Sequence, residues 1–454
     1  MKIQQLYTNC LAQGAYYIAH KGEAVIIDPL RETKPYLDLL QNNKDTLKYI
    51  FETHFHADFV SGHVDLARET GATIVFGPNA KTDYPSHIAQ DEDVFKVGDL
   101  SIKVLHTPGH TLESTTYLLL DENKRPLCIF TGDTLFIGDV GRPDLAIKSD
   151  LTQEDLAGLL YESLRNKIMP LPDDVIVYPA HGAGSACGKS MSKETFDTLG
   201  SQKKNNYALA DISKAEFIKQ LTEGILPAPQ YFAKNAALNK SGYNAIEEVM
   251  ARGLKGLSAE DFKTAISSKD ALVLDVRPAQ EFAAGHIPGA LFIGLDGQFA
   301  PWVGTIIRDL STPIYLVCPV GKEEETVLRL ARVGYDHCQA YLQDGITAWK
   351  NAGFELAKIE SIPATDFLTR YSSGTRTLDV RKPGEFESAH LTKADNRPLD
   401  FIYDWIDQID SNEPVLIHCA GGYRSMIAAS LLKAKGHEAL TDVQGGYGAI
   451  SKLA

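Results

Sequence analysis

The segment Lys48-Tyr-Ile-Phe-Glu-Thr-His54-Phe-His56-Ala-Asp58-Phe59-Val-Ser-Gly-His63 opens with a short apolar run and closes in a cluster of imidazole and carboxylate side chains. Short runs rich in aromatic and β-branched residues read as strands. His54, His56 and Asp58 are therefore expected on a loop at a strand end, where a rigid sheet presents functional groups. Three further runs finish the same way. Residues 102–105 lead to Thr107-Pro-Gly-His110-Thr, 127–130 to Thr131-Gly-Asp133, and 175–178 to Pro179-Ala-His181-Gly; residues 24–28 and 73–76 add two more strands. Neutral imidazoles and carboxylates gathered from several loops make a divalent metal site with open positions. Spacing alone leaves both iron and zinc open. His63, His87 and His106 fit no ligand position, and His63 reads as the start of a helix.

The rest of the chain sets the frame. At roughly 150 residues per domain, 454 residues imply about three domains. A composition of 44% hydrophobic and 23% charged residues is that of an ordinary globular protein. Apolar runs such as 271–274 and 314–318 are far shorter than the ~20 residues that cross a bilayer, so no membrane association is expected. The N-terminus has no apolar stretch followed by a small-residue cleavage site, which makes the cytoplasm the expected compartment. Six cysteines without a CxxC pair argue against a disulfide framework and against a structural zinc cluster. A formal charge of -14 with no segregated basic patch excludes a nucleic-acid partner.

The C-terminal half contains a repeat. Leu274-Asp275-Val276-Arg277-Pro278 with Glu281-Phe282 and His286 recurs as Leu378-Asp379-Val380-Arg381-Lys382 with Glu385-Phe386 and His390. Pro313-Ile-Tyr-Leu-Val-Cys318 recurs as Pro414-Val-Leu-Ile-His-Cys419, and Asp344-Gly345 as Gly445-Gly446. Each copy alternates short apolar strands with a helical pattern, at 325–333 and 425–435, which predicts an α/β domain with a largely parallel sheet. The cysteine then sits where a strand hands over to a helix, a turn whose backbone N–H groups favour an anion. Residues 226–242 lack periodicity and read as a linker, giving domains at 1–245, 246–358 and 359–454.

HxHxD followed in order by PGHT, TGD and PAHG resembles the metallo-β-lactamase superfamily, which implies an αββα sandwich for the first domain. Dinuclear zinc hydrolases of that superfamily, glyoxalase II among them, carry HxHxDH, whose Asp and last His hold the second metal. Here the last His is Phe59. Only Asp58, His181 and a shared Asp133 remain for a second ion, so the resemblance implies one metal bound by His54, His110 and Asp133, with His56 close by. Two histidines and one carboxylate with open positions suit ferrous iron and oxygen chemistry. Gly138-Asp-Val-Gly-Arg142-Pro-Asp144 and Leu226-Pro-Ala-Pro-Gln230 further resemble the persulfide dioxygenases, mononuclear non-haem iron enzymes that oxidise the outer sulfur of a thiol persulfide to sulfite. In that resemblance Arg142 binds the carboxylate or phosphate of the carrier thiol; an Arg in such a turn serves equally as a structural salt-bridge partner.

Cys419-Ala-Gly421-Gly422-Tyr423-Arg424 follows a strand and precedes a helix. Its glycines let the backbone curl so that N–H groups of Gly421, Gly422 and Tyr423 converge on the sulfur, and this field with Arg424 favours the thiolate. A thiolate can attack a sulfane sulfur and hold it as a persulfide. The loop, with Asp379-Val-Arg381 and Glu385-Phe386 upstream, resembles the rhodanese sulfurtransferases. The middle copy, Cys318-Pro-Val-Gly-Lys-Glu323-Glu324-Glu325, has Glu323 where Arg should stand, so it is expected to keep the rhodanese-like fold without the activity. Cys187, just after His181, is expected near the metal cleft, either as a sulfur relay or as a tolerated loop cysteine; Cys10, Cys128 and Cys338 have no reactive context.

The order of modules resembles the persulfide dioxygenase-rhodanese fusions of bacterial sulfide detoxification. That resemblance implies one Fe(II) per chain, O2 as co-substrate, and a low-molecular-weight thiol persulfide, sulfite and thiosulfate as reactants and products. A homo-oligomer is compatible with the sequence, which does not fix the assembly. Two rivals stand beside this expectation. One is a zinc-dependent thioester hydrolase fused to rhodanese domains, against which Phe59 speaks. The other is a non-enzymatic sulfur carrier or scaffold, against which the intact Cys419 to Arg424 loop speaks.

Overall fold

The computed structural model describes residues 1–145, 151–225 and 227–453. The chain forms two compact units, Met1–Ile246 with Ala331–Gly334, and Glu247–Leu330 with Tyr335–Ala454. Among the described residues, no helix is long and apolar enough to cross a membrane.

In the first unit two six-stranded sheets face each other. The first runs in spatial order Lys2–Thr8, Gln13–His20, Glu23–Ile27, Thr46–Glu52, Thr73–Phe76, His87–Ile88. The second runs Asp197–Thr198, Ile176–Pro179, Pro126–Gly132, Thr115–Leu120, Leu100–His106, Val94–Val97. Side chains alternate between the faces of a strand, and here both faces are apolar. Along Gln13–His20, Tyr16 and Ile18 join Ile102, Tyr117, Leu119 and Phe130 in the core between the sheets. Ala15, Tyr17 and Ala19 point the other way, to a core shared with Tyr36 and Leu40 of the helix Lys34–Asn43 and Leu66 of His63–Thr70. The outer face of the second sheet packs in turn on Ala157 and Leu160 of Gln153–Ser163 and on Phe217 and Leu221 of Lys214–Thr222. The layers are therefore αββα, as the sequence leads one to expect.

The second unit holds the two repeat copies, each a five-stranded sheet in the same strand order. The middle copy runs Gly256–Leu257, Cys338–Leu342, Ile314–Val317, Leu272–Asp275, Leu291–Phe292. The last runs Glu360–Ile362, Leu440–Val443, Val415–His418, Arg376–Asp379, Ala394–Asn396. Every pairing in both sheets is parallel. The repeated Asp-x-Arg has a structural job. Asp275 and Asp379 each accept hydrogen bonds from the Arg two residues on, which also donates to the carbonyl of Gly285 or Ala389. The repeated Phe and His stack at 3.9 Å in both copies.

The expected linker differs from what is found. Leu226 lies outside the described residues, but Phe232–Ser241 is an α-helix with Phe232, Asn235 and Asn239 buried. Its inward face carries two asparagines, so apolar periodicity is weak in the sequence even though the face is packed.

Candidate functional site

The loops that end Thr46–Glu52, Leu100–His106, Pro126–Gly132 and Ile176–Pro179 bring their polar side chains together at one end of the sandwich. His54, His110 and Asp133 are buried, with candidate ligand atoms within 4.8 Å of one another. His110 Nε2 lies 3.4 Å and His54 Nε2 3.9 Å from Asp133 Oδ2. Both carboxylate oxygens of Asp133 are buried without a hydrogen-bond partner among the described residues. Burial and the neighbouring imidazoles of His56, His110 and His181 hold the His54 pKa well below its ordinary value, so the ring offers a lone pair. Such a donor set fits a divalent cation.

The rings are fixed from behind. His110 Nδ1 donates to the Arg142 carbonyl at 2.8 Å, and His54 Nδ1 meets Thr53 Oγ1 at 3.0 Å. Thr53 Oγ1 and N–H in turn donate to Asp28, each at 2.8 Å. Outer partners of this kind set tautomer and orientation. Close backbone approach also counts: a Cβ on Gly141 would stand 2.1 Å from the Asp133 carbonyl oxygen.

His56 is placed outside this triad. Its Nε2 lies 3.1 Å from Asp28 Oδ1 and 3.7 Å from Glu52 Oε2. Burial opposes charge on the ring, but the Asp28 and Glu52 carboxylates outweigh it and push the pKa up to about 9. His56 also forms a second cluster with Asp58 and His181, and His181 Nε2 reaches Asp58 at 3.5 Å and Asp133 Oδ1 at 3.6 Å. Phe59 is buried against both imidazoles of that cluster, 4.3 Å from His56 and 6.4 Å from His181 between ring centroids.

Arg142 donates to both oxygens of Asp144, at 2.6 and 2.7 Å, and to the Ala186 carbonyl at 3.3 Å. This is the salt-bridge role. The residues around it hold the next loop: Asp139 accepts from the N–H groups of Lys189 and Ser190, and the Arg142 N–H donates to the Cys187 carbonyl. Cys187 thus does face the cleft, grouped with Asp133 and His181. Burial, with Asp58 and Asp133, holds its thiol protonated well above the usual range.

Sequence reasoning missed Asn239. Its Nδ2 donates to the carbonyls of His56 (2.7 Å) and Phe59 (2.8 Å), and its Oδ1 accepts from the Ser61 N–H (2.9 Å), pinning the whole HxHxD loop. Asp28 and Glu52 were missed too, although both stand at strand ends.

In the last copy Cys419 is buried, its sulfur accepting from the Gly422 N–H at 3.1 Å. Arg424 donates two hydrogen bonds to Glu385, at 2.6 and 2.7 Å, closing the loop. Gly421, Gly422 and Tyr423 border a cleft of about 550 Å³ whose other wall, Pro278 to Gln280, comes from the middle copy. The Tyr423 hydroxyl donates to the Gly294 carbonyl of that copy, so Tyr423 anchors the loop as well as lining its mouth. Cys318 of the middle copy has no arginine; burial, with Glu323 adding, raises its thiol pKa. All six cysteines are free.

Residues 9–181 match the family described as Metallo-beta-lactamase superfamily, and residues 258–352 and 364–453 each match Rhodanese-like domain. The chain belongs to the metallo-β-lactamase superfamily and carries two rhodanese-like domains behind that fold. It is 33% identical over 211 residues to a mitochondrial persulfide dioxygenase of Homo sapiens, covering 46% of this chain and 74% of that protein. It is 35% identical over 135 residues to a probable hydroxyacylglutathione hydrolase of Schizosaccharomyces pombe, covering 30% of this chain and 48%, about half, of that relative. Among solved structures, a metallo-beta-lactamase from Staphylococcus aureus superposes with a TM-score of 0.66 at 31% identity, over 75% of this chain and 98% of its own.

Proposed function

We propose that the first domain is a mononuclear Fe(II) persulfide dioxygenase and the last a Cys419-dependent sulfurtransferase, acting together on a low-molecular-weight thiol persulfide with O2 as co-substrate. The observation that carries this reading is the triad of His54, His110 and Asp133, with Phe59 standing where a second ion needs an imidazole. A ferrous ion held by the triad would supply the redox chemistry that sets O2 against a persulfide. The chain's own residues orient and shield. Thr53 and the Arg142 carbonyl hold the two imidazoles, and the buried rings of Phe59 and Phe136 pack edge-on to His181. An acidic group on the carrier thiol would meet Arg142 in competition with Asp144.

In the last domain the Cys419 thiolate attacks the outer sulfur of a donor. The new S–S bond forms at Cys419 as the donor S–S bond breaks, and the leaving thiolate or sulfite takes the electron pair. Passing that sulfur to sulfite yields thiosulfate, so the product of the first site is the acceptor of the second.

The hydroxyacylglutathione hydrolase relatives and the His56, Asp58, His181 cluster favour the rival zinc thioester hydrolase. Metal analysis combined with oxygen uptake over a panel of persulfides separates the two. A single iron per chain with persulfide-dependent oxygen uptake is expected. Two zinc ions per chain in the active form, with thioester hydrolysis and no oxygen uptake, would falsify the proposal.

A further inference from the structure

Behind the Cys419 loop lies a polar chain that the sulfur-transfer step described above does not use. Ser425, in the first turn of the helix Tyr423–Ala434, and Asp442, in the strand Leu440–Val443, are both fully buried. Ser425 Oγ is 3.6 Å from Cys419 Sγ and 2.7 Å from Asp442 Oδ1, while the other Asp442 oxygen accepts from Ser361 Oγ at 3.2 Å. The sheet register fixes the arrangement: Asp442 pairs with Ile417, two residues before the cysteine, and with Ser361 on the edge strand.

A carboxylate inside a sheet is costly unless something compensates it, and the side chains that bond this one among the described residues are the hydroxyls of Ser425 and Ser361, with the Val443 backbone beside them. The middle copy makes the contrast. There Tyr341 occupies the matching place, paired with Leu316 two residues before Cys318. The Thr326 hydroxyl, 3.6 Å from Cys318 Sγ, donates to the Lys322 carbonyl at 2.6 Å. The copy that lost its loop arginine also lacks the carboxylate.

We propose that Ser425 and Asp442 form a proton relay that takes the thiol proton of Cys419 as it becomes the attacking thiolate. This rests on the reading of Cys419 as a sulfur-transferring nucleophile. Ser425 has one proton and cannot give it to the sulfur and the carboxylate at once. With Asp442 ionised, the hydroxyl donates to the carboxylate and turns a lone pair to the Cys419 S–H. When the thiol proton moves to Ser425 Oγ and the serine proton to Asp442 Oδ1, the hydroxyl is regenerated and donates to the thiolate instead. One proton has passed from sulfur to carboxylate, and no other bond has changed. The thiolate is then free to attack a sulfane sulfur.

The surroundings suit such a role. Burial raises the Asp442 carboxyl pKa to about 7, against the donated hydrogen bonds of Ser425 and Ser361, so both of its forms are populated near neutrality. Of the charged groups nearby, Arg424 is paired with Glu385. His418 points to the opposite face of the sheet from Ile417, towards Asp379 at 3.8 Å. Arg370 and Glu360 meet the neighbouring Thr441, on that opposite face as well.

The test is the pH dependence of Cys419 alkylation by iodoacetamide in the full chain, followed on the Cys419 peptide by mass spectrometry, alongside thiosulfate:thiol turnover. The wild-type rate should rise through an inflection near pH 7 as Asp442 ionises. Asp442→Asn should remove that inflection and lower turnover at pH 7 on the order of a hundredfold, the usual contribution of a positioned base. Ser425→Ala should do the same while leaving Asp442 bonded to Ser361, and Ser425→Thr should restore the profile. If both Asp442→Asn and Ser425→Ala give the wild-type alkylation profile, the relay is wrong even if sulfur transfer is confirmed. If the profile changes as expected but wild-type protein transfers no sulfur, the relay stands and the sulfurtransferase reading falls.

Discussion

Single side chains decide whether the metal loop keeps its shape. Asn239 satisfies three buried backbone groups of that loop, and no side-chain atom of alanine can replace them. Leaving buried polar groups unpaired costs about 1–3 kcal/mol each. Asn239→Ala should therefore lower the thermal midpoint of the first domain and release metal faster to a chelator, although Asn239 is no ligand. A variant with wild-type melting and metal retention would show that the loop holds itself.

At the scale of elements, the site depends on two loops lying very close together. The turn holding Gly141 passes so near the strand end at Asp133 that a methyl group on Gly141 would meet the Asp133 carbonyl oxygen at 2.1 Å and His110 Nδ1 at 2.9 Å. The oxygen belongs to the backbone and is not the end of a flexible side chain, so Gly141→Ala is expected to displace the carboxylate or the imidazole. Metal content measured on the purified variant should fall well below that of wild type, with the sulfurtransferase activity proposed for the last domain retained. Full metal occupancy would mean that the turn yields rather than the ligands.

For the molecule as a whole, the two proposed chemistries would draw on different groups in different compact units. A serine hydroxyl is not ionised near neutral pH and holds no sulfane sulfur. In Cys419→Ser, oxygen consumption with an added persulfide should continue while the product shifts from thiosulfate towards sulfite. His110→Ala should abolish oxygen uptake and leave thiosulfate:thiol transfer measurable. Loss of oxygen uptake in Cys419→Ser at unchanged iron content would mean that the last domain must deliver sulfur to the metal site. The middle copy makes a third prediction: Cys318 is buried, without an arginine in its loop, so Cys318→Ser should leave both activities intact. Loss of sulfur transfer in that variant would reverse the roles given to the two copies.

Local signals in the sequence were enough for the strand ends, the repeated module and the candidate polar residues, whereas the αββα layering was implied only by the resemblance to the metallo-β-lactamase superfamily. Apolar runs ending in His or Asp placed His54, His110, Asp133 and His181 on strand ends, and the repeated Asp-x-Arg and cysteine motifs revealed two copies of one parallel sheet. Each of these is written in contiguous residues, because strand period and turn chemistry are local properties. Tertiary structure alone decided the rest. It set His56 Nε2 against Asp28 and Glu52 with the ring still beside that of His54, and it paired Arg142 with Asp144. It also brought Asn239 under the metal loop and set Asp442 behind Cys419. In each case the outcome depends on which buried polar group lies within hydrogen-bonding distance of which other. Burial makes that choice energetically decisive, and only the folded chain brings residues so far apart in sequence close enough to make it.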